Sequence, residues 1–387
     1  MKGKTRHLLF LWILGAMISC VQEDKADPQA IINHVKKTYA PDKRVALFDI
    51  QWEKDQILGE TNLPEALIHL KDSLTGQKIN FQDKVTILPN ESLGGKHSAV
   101  VTLSVANIRS QPRHSAELAT QATLGTPLRV LKKENDWYLV QTPDRYISWV
   151  DAGGIALMNE EEMNAWYTSE KVVFTDLIGH VYEGPAEESR VSDLTAGNIL
   201  ELIRKGTDYH EVKLPDDRKG FVKASSSTPF EEWKTSRNTS AKNLISTAKD
   251  MMGIPYLWGG TSIKGVDCSG FTKTIFFLNG KIIPRDASQQ VHEGEEVDTE
   301  KNWENLETGD LLFFGNPATD ESPERVVHVG MWIGDGSFIH SRGRVRISSF
   351  DPASKNYDEY ELNRYLRTKR IVGKDSKNVL AVNEIIK

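Results

Sequence analysis

An internal repeat of 72 residues constrains this chain more than any other feature. Sliding the sequence by 72 positions brings Gly125 onto Gly197, Leu128 onto Leu200, Leu131 onto Ile203, Lys133 onto Lys205 and Asp136 onto Asp208 without a gap. The match runs on through Trp137/Tyr209, Val140/Val212, Pro143/Pro215, Asp144/Asp216, Trp149/Phe221 and Val150/Val222. The shared positions are turn residues (Asn135-Asp136, Pro143-Asp144) and the alternating apolar residues of short strands, so each copy reads as a small all-β domain, at 101–160 and 168–230. At about 150 residues per domain, the 387 residues leave room for one or two further units. The 39% hydrophobic and 26% charged residues give an ordinary globular composition that excludes wholesale disorder. A net charge of −6, with no basic run after the first residues, argues against a nucleic-acid partner.

Cysteine usage is the next constraint. The chain has two, Cys20 and Cys268, which rules out a disulfide framework and a Cys-rich zinc site. Lys2, Lys4 and Arg6 precede the apolar run Leu8–Met17, far shorter than the roughly 20 residues a membrane-spanning helix needs, so residues 1–19 read as a secretory signal. The run ends in Met17-Ile18-Ser19-Cys20, which resembles a bacterial lipoprotein box with Cys20 as the acylated residue. Residues 20–28 are then a polar tether. Val21, rather than Asp, after the cysteine favours by analogy the periplasmic face of the outer membrane in a double-membraned bacterium. A lipidated Cys20 leaves Cys268 as the one free thiol of an exported protein.

Residues 29–100 mix a helix-like start (Ile31, Ile32, Val35), a strand-like stretch Val45–Ile50 and a second helical pattern opened by Pro64, a small α/β segment with no chemical motif. Gly94-Gly95-Lys96 is not a phosphate loop, because the required upstream glycine is Asn90. Residues 226–239 are Ser-, Thr- and Pro-rich and read as a linker. The remainder, 240–387, reads as α+β, with helices first and a run of strands after. Ser240 is placed to cap a helix whose apolar face is Leu244, Ile245, Ala248, Met251 and Met252, closed by Gly253 and Pro255.

The chemistry is in this last unit. Tyr256-Leu257-Trp258-Gly259-Gly260 leads through a Gly-rich loop to Asp267-Cys268-Ser269-Gly270-Phe271, where a helical pattern begins. That places Cys268 at a helix N-terminus, where the dipole and free N–H groups favour a thiolate. Downstream, strands carry His328 and His340 on either side of Gly334-Asp335-Gly336, a tight-turn signature. With the turn centred near Gly334, the two histidines face one another on one side of the ribbon. One imidazole then takes the thiol proton while the other fixes its orientation. A single Cys is most often an inert core residue, but not one met by this pair of histidines.

These residues resemble the NlpC/P60 family of papain-like peptidoglycan peptidases. The likeness covers about 240–372, with "Tyr-x-Trp-Gly-Gly", "Asp-Cys-Ser-Gly-Phe", "Pro-Arg-Asp-Ala-Ser-x-Gln", "Gly-Asp-Leu-Leu-Phe-Phe" and "His-Val-Gly-Met-Trp-Ile-Gly" in family order. The repeat resembles bacterial SH3 domains through "Val105-Ala106-Asn107-Ile108-Arg109-Ser110", Gly125, "Trp137-Tyr138-Leu139-Val140" and "Trp149-Val150". The resemblance implies an α+β chain: a papain-like NlpC/P60 catalytic domain preceded by two small all-β SH3-like barrels and the N-terminal α/β segment. It implies Cys268 as nucleophile, His328 as base, His340 as the orienting residue and Tyr256 as an oxyanion-side hydroxyl beside the backbone N–H of Cys268. Asp267 and Ser269 match positions that line the substrate pocket. No cofactor and no metal is implied; peptidoglycan-derived peptides and, through the anchor, a membrane are the expected partners of a monomeric enzyme.

The SH3-bearing subset of the family resembles dipeptidyl peptidases that cut the γ-D-Glu–L-diamino acid bond of freed muropeptides. There the first SH3-like domain closes the cleft and binds the substrate's free L-Ala amine. Glu117 and Tyr146 of copy one become Ser189 and Arg218 in copy two, which singles them out for a task only copy one performs. Asp286, in Pro284-Arg285-Asp286, matches the family's third contact to that amine. The alternatives are an endopeptidase acting on intact wall and a wall-binding lipoprotein whose SH3-like pair does the binding.

Overall fold

Asp27, Pro28 and the apolar spacing that follows start the described part of the chain. In a computed structural model, which describes residues 27–385, the Asp27 side chain caps α1 (Pro28–Tyr39) and Pro28 occupies its first turn. Cys20, the signal sequence and all but the end of the tether lie outside the described residues. Strands β1 (Phe48–Glu53) and β2 (Gln56–Thr61) form a hairpin. Helix α2 (Pro64–Gly76) then crosses over to β3 (Gln82–Ile87), which lies parallel to β2. Ile32, Val35, Phe48, Ile57, Leu67, Leu70 and Leu74 make its core. The strand expected at Val45–Ile50 begins only at Phe48: Arg44 and Val45 instead give their carbonyls to the next unit, accepting from Ile147 N (2.6 Å) and Gln141 Nε2 (3.0 Å).

The repeat is obeyed strand for strand. Copy one has β4 (Ser98–Val101), β5 (Val105–Arg109), β6 (Leu118–Thr123), β7 (Pro127–Glu134), β8 (Trp137–Gln141), β9 (Ile147–Asp151) and β10 (Ile155–Met158), followed by α3 (Glu160–Thr168). Copy two has β11 (Lys171–Phe174), β12 (Ile178–Tyr182), β13 (Arg190–Thr195), β14 (Ile199–Arg204), β15 (Tyr209–Lys213), β16 (Lys219–Lys223) and β17 (Ser227–Pro229), followed by α4 (Phe230–Ser236). The sheet orders, β10-β4-β7-β8-β9-β5-β6 and β17-β11-β14-β15-β16-β12-β13, are the same order shifted by one copy. The stretch read as a linker at 226–239 is therefore the end of copy two. Strand β17 pairs with β11, and α4 buries Phe230 and Trp233 in a core shared with α3. Two large aromatics outweigh the Ser/Thr/Pro composition around them.

The last unit opens with α5 (Ala241–Asp250), capped by Ser240, and the short strands β18 (Thr261–Ser262) and β19 (Gly265–Val266). Then come α6 (Cys268–Leu278), β20 (Lys281–Ile282), α7 (Ala287–Gln290) and β21 (Glu295–Asp298). The strands β22 (Leu311–Asn316), β23 (Arg325–Gly334), β24 (Ser337–Arg342) and β25 (Arg344–Ser349), with α8 (Glu359–Asn363) and β26 (Tyr365–Arg370), complete a sheet of order β21-β26-β22-β23-β24-β25. Helix α6 lays Phe271, Ile275 and Phe276 on the face of this sheet, against Phe313, Val329, Met331 and Ile339. No helix of the described residues is long and apolar enough to cross a membrane.

Candidate active site

Asp267 caps α6 with its carboxylate on Gly270 N (2.7 Å), which makes Cys268 the first helical residue. Gly270 is required there: a Cβ would lie 1.9 Å from the Gly260 carbonyl oxygen. The expectation of a thiolate at this helix end is reversed by depth. Cys268 is buried, and burial first, then the Asp267 carboxylate, push its thiol up to about 12. The backbone N–H groups of Val329 and Ser269, and Arg285, pull the other way without winning. Burial thus favours the thiol over the thiolate at this helix end.

Val329 is the neighbour of His328, so the contact between α6 and β23 brings base and nucleophile together. The histidines lie on β23 and β24, where Met331 faces Ile339 and Trp332 faces Phe338. The strands pair about Asp335 rather than Gly334, with a bulge between Trp332 and Gly334, so Gly330, not His328, stands across from His340. His328 is thus one diagonal step away rather than directly opposite. The rings still meet, with His328 Nε2 and His340 Nδ1 2.8 Å apart and the ring planes at 74°. Burial and the neighbouring His340 hold His328 well below the usual imidazole range; burial, Arg346 and Arg342 hold His340 at about 3. Both rings are neutral at neutral pH.

Tyr256 donates its backbone N–H to Gly343 (3.0 Å) and is half-buried beside the thiol. Burial, then Cys268 and Asp267, raise its phenol, so it keeps its proton. Asp267 and Ser269 line the cleft, but Asp267 is already saturated. It accepts from Gly259 N (3.0 Å), Gly270 N and Ser269 Oγ (3.3 Å), and from both Nη atoms of Arg285 (3.1 and 2.5 Å). Arg285, buried beneath the nucleophile, was not among the residues the sequence singled out, although it sits inside the Pro-Arg-Asp motif.

The cleft over Cys268 has a volume of about 610 Å³ and walls from three units. The catalytic unit supplies Tyr256, Asp267, Ser269, Arg285 and Asp286; copy one of the repeat supplies Glu117 and Tyr146. The third wall is unexpected: Arg44, from the N-terminal segment. Its Nη1 reaches Asp286 Oδ2 (2.7 Å) and Ser288 Oγ (2.9 Å), while Asp42 holds its Nε and Nη2 at 2.8 Å. Glu117 is exposed, and accepts from the Trp258 indole at 2.6 Å. Gly259, at φ +80°, allows this loop to lie on Leu118, whose carbonyl oxygen would be 2.1 Å from a Cβ. Tyr146 is buried, and burial and Asp286 raise its phenol. In copy two Ser189 is exposed, and Arg218 instead bonds Asp216 and the Thr102 carbonyl, tying the copies together.

Among the described residues one trio has donor atoms close enough for a metal, His328, His340 and Glu361, within 4.8 Å of one another. The two histidine nitrogens share a hydrogen bond at 2.8 Å and so point at each other, not at a common centre.

Residues 253–367 match the NlpC/P60 family and residues 104–156 the bacterial SH3 domain. A γ-D-glutamyl-L-lysine dipeptidyl-peptidase of Bacillus subtilis is 31% identical over 233 residues, 58% of this chain and 72% of that protein. The chain belongs to the NlpC/P60 family. A γ-D-glutamyl-L-lysine dipeptidyl-peptidase of Bacillus cereus is 35% identical over 231 residues, covering 58% of this NlpC/P60 chain and 67% of its own. A crystal structure of an NlpC/P60 family protein from Bacillus cereus superposes with a TM-score of 0.61 at 28% identity, over 71% of this chain and 99% of that one. The chain is thus an NlpC/P60 cysteine peptidase, of a family of cell-wall peptidases, with bacterial SH3 sequence ahead of its catalytic unit.

Proposed function

We propose that this peptidase cleaves the γ-D-Glu–L-diamino acid bond of muropeptides that carry a free amino-terminal L-Ala. The observation that carries the reading is a cleft over the nucleophile walled by three units. Copy one and the loop at Asp42–Arg44 wall in the space over Cys268, and about 610 Å³ lies within the roughly 300–1,000 Å³ of small-ligand sites. A short peptide fits such a space, with Glu117, Tyr146 and Arg44 along one side of it.

In this reading Cys268 Sγ gives its proton to His328 and attacks the γ-carbonyl carbon. His340 holds the base, and the backbone N–H of Cys268 with the Tyr256 hydroxyl takes the oxyanion. The imidazolium then protonates the departing diamino-acid amine, and water, deprotonated by His328, hydrolyses the thioester. The substrate's ammonium lies against Glu117, Tyr146 and Asp286, because a cation in a walled cleft needs a carboxylate partner. The relatives named as dipeptidyl peptidases align over 231 and 233 residues, more than the catalytic unit alone holds, which supports this reading over the endopeptidase. Export with a lipid on Cys20 completes the proposal, and meets soluble muropeptides outside the cytoplasm.

The test compares L-Ala-γ-D-Glu-L-Lys with its N-acetylated form and with insoluble sacculi. Rapid turnover of the free tripeptide, collapsing on acetylation, is expected. A free-to-acetylated rate ratio near one, or preference for sacculi, rejects the reading.

A further inference from the structure

The hydrogen-bond chain behind the base does not stop at His340. His340 Nε2 lies 3.0 Å from Ser348 Oγ on β25, and Ser348 Oγ lies 3.0 Å from Asp358 Oδ2 at the start of α8. All three side chains are buried. Arg346 Nη2 (3.0 Å) and Arg342 Nη1 (3.6 Å) face the Asp358 carboxylate. Ser348, Asp358, Arg346 and Arg342 are not used by the mechanism above.

Donor counting gives this chain a direction. A carboxylate between two guanidinium groups only accepts, so the Ser348 hydroxyl donates to Asp358. Its oxygen then turns lone pairs toward His340, whose Nε2 must carry the ring proton. That leaves His340 Nδ1 bare, able to accept from His328 Nε2–H at 2.8 Å. A neutral His328 protonated on Nε2 keeps its lone pair on Nδ1, the nitrogen available for the thiol proton. We propose that Ser348 and Asp358 are positioning residues that set the tautomers of both histidines, so that the working relay is Cys268–His328–His340–Ser348–Asp358. This rests on Cys268 and His328 being the reacting pair.

One neighbour opposes that direction. Arg346 Nε lies 3.3 Å from the same His340 Nε2, and a guanidinium only donates. In the native site the serine is nearer and Arg346 is engaged with Asp358. Once the hydroxyl is gone, Arg346 is the partner left for Nε2. It then moves the His340 proton to Nδ1, makes His328 Nε2 the acceptor and puts the His328 proton on Nδ1. The base is then in its useless tautomer.

Ser348→Ala tests this with two readouts on the full chain: steady-state kinetics on L-Ala-γ-D-Glu-L-Lys, and ¹⁵N NMR of the ring nitrogens in histidine-labelled protein. The wild type is expected to show both rings protonated on Nε2. Ser348→Ala should lower kcat at least about 100-fold with KM within twofold, since losing the orienting acid of a serine protease triad, which leaves the wrong tautomer, costs about 10⁴. His340 should shift to the Nδ1–H pattern, and Ser348→Thr, which keeps the hydroxyl, should restore both. Removing Arg346 as well (Ser348→Ala with Arg346→Met) should return part of the lost kcat. A wild-type His340 protonated on Nδ1 overturns the relay whether or not any variant folds. So does a Ser348→Ala enzyme within threefold of wild type while Cys268→Ala is dead; an active Cys268→Ala would instead sink the reacting pair, and the relay with it.

Discussion

Arg285 and Asp267 allow a quantitative test of what holds the nucleophile in place. The guanidinium is 1% exposed and the carboxylate side chain 9%, with two N–O contacts of 3.1 and 2.5 Å, and Arg285 also donates to Ser269 Oγ at 3.0 Å. Replacing Arg285 by Met leaves a buried carboxylate beneath the thiol; replacing Asp267 by Asn leaves a buried cation while keeping a residue able to cap α6. Breaking one side of such a pair costs about 3–5 kcal/mol. For a unit of this size each kcal/mol moves Tm by about 2–4 °C, so each single variant should lose roughly 6–20 °C by differential scanning calorimetry. The double variant Arg285→Met/Asp267→Asn removes both charges and should be no less stable than either single variant, a coupling of at least about 3–5 kcal/mol. Arg285→Met should further raise the thiol pKa, because the Asp267 charge beside it is no longer offset. Single losses that simply add, with coupling below about 0.5 kcal/mol, would refute the claim that the two charges stabilise α6 as a unit.

The thiol, held at about 12, should react with iodoacetamide at pH 7 about 10³-fold more slowly than free cysteine, and tenfold faster per pH unit above that; a plateau below pH 7 would mean a resting ion pair. The base works in its neutral form, and a depressed His328 pKa keeps it neutral to lower pH, so the acid limb of kcat/KM should fall below about pH 6.5. An acid limb above pH 7 would contradict the burial argument. Glu117 is exposed until substrate arrives, so its contact is that of a charged hydrogen bond, about 1.5–3 kcal/mol, rather than of a buried pair. Glu117→Ala should therefore lower kcat/KM by roughly 10–150-fold, whereas Ser189→Ala in copy two should change it less than twofold. Arg44→Ala should unmask Asp286 and raise the preference for an amino-terminal L-2,4-diaminobutyryl residue over L-Ala by about tenfold, read as a ratio of kcat/KM values; an unchanged ratio removes Arg44 from the specificity argument.

The sequence revealed what depends on local spacing. Two barrels of one design need the same turns and the same inward positions, and the 72-residue shift reports both. It also hid the ends of the copies, because Phe230 and Trp233 are only two apolar residues in a polar stretch until α3 and α4 share a core. The pairing of the histidines was legible, but its geometry was not. Pairing about Asp335 instead of Gly334 moves the partner of His340 by two positions, from His328 to Gly330, and nothing in Gly334-Asp335-Gly336 announces it. At Cys268 the local rule failed outright. A helix N-terminus is worth perturbations of order 1 kcal/mol, and depth within the core outweighs it.

Arg44 illustrates the deeper reason. It meets Asp286 across 242 residues, and no periodicity or motif links the two. Its presence changes the charge count of the cleft. Asp267 is matched by Arg285 and Asp286 by Arg44, while the raised phenols of Tyr146 and Tyr256 stay neutral. Glu117 accepts only from a neutral indole and, among the described residues, is the carboxylate of this cleft that no cation contacts, while Arg325 lines the same cleft. The walls carry three carboxylates and three guanidinium groups, and Glu117, the carboxylate no guanidinium contacts, suits a ligand end bearing one positive charge, as a peptide's free amino terminus does. On that count the N-terminal segment, through a single guanidinium, brings the site down from two available carboxylates to one.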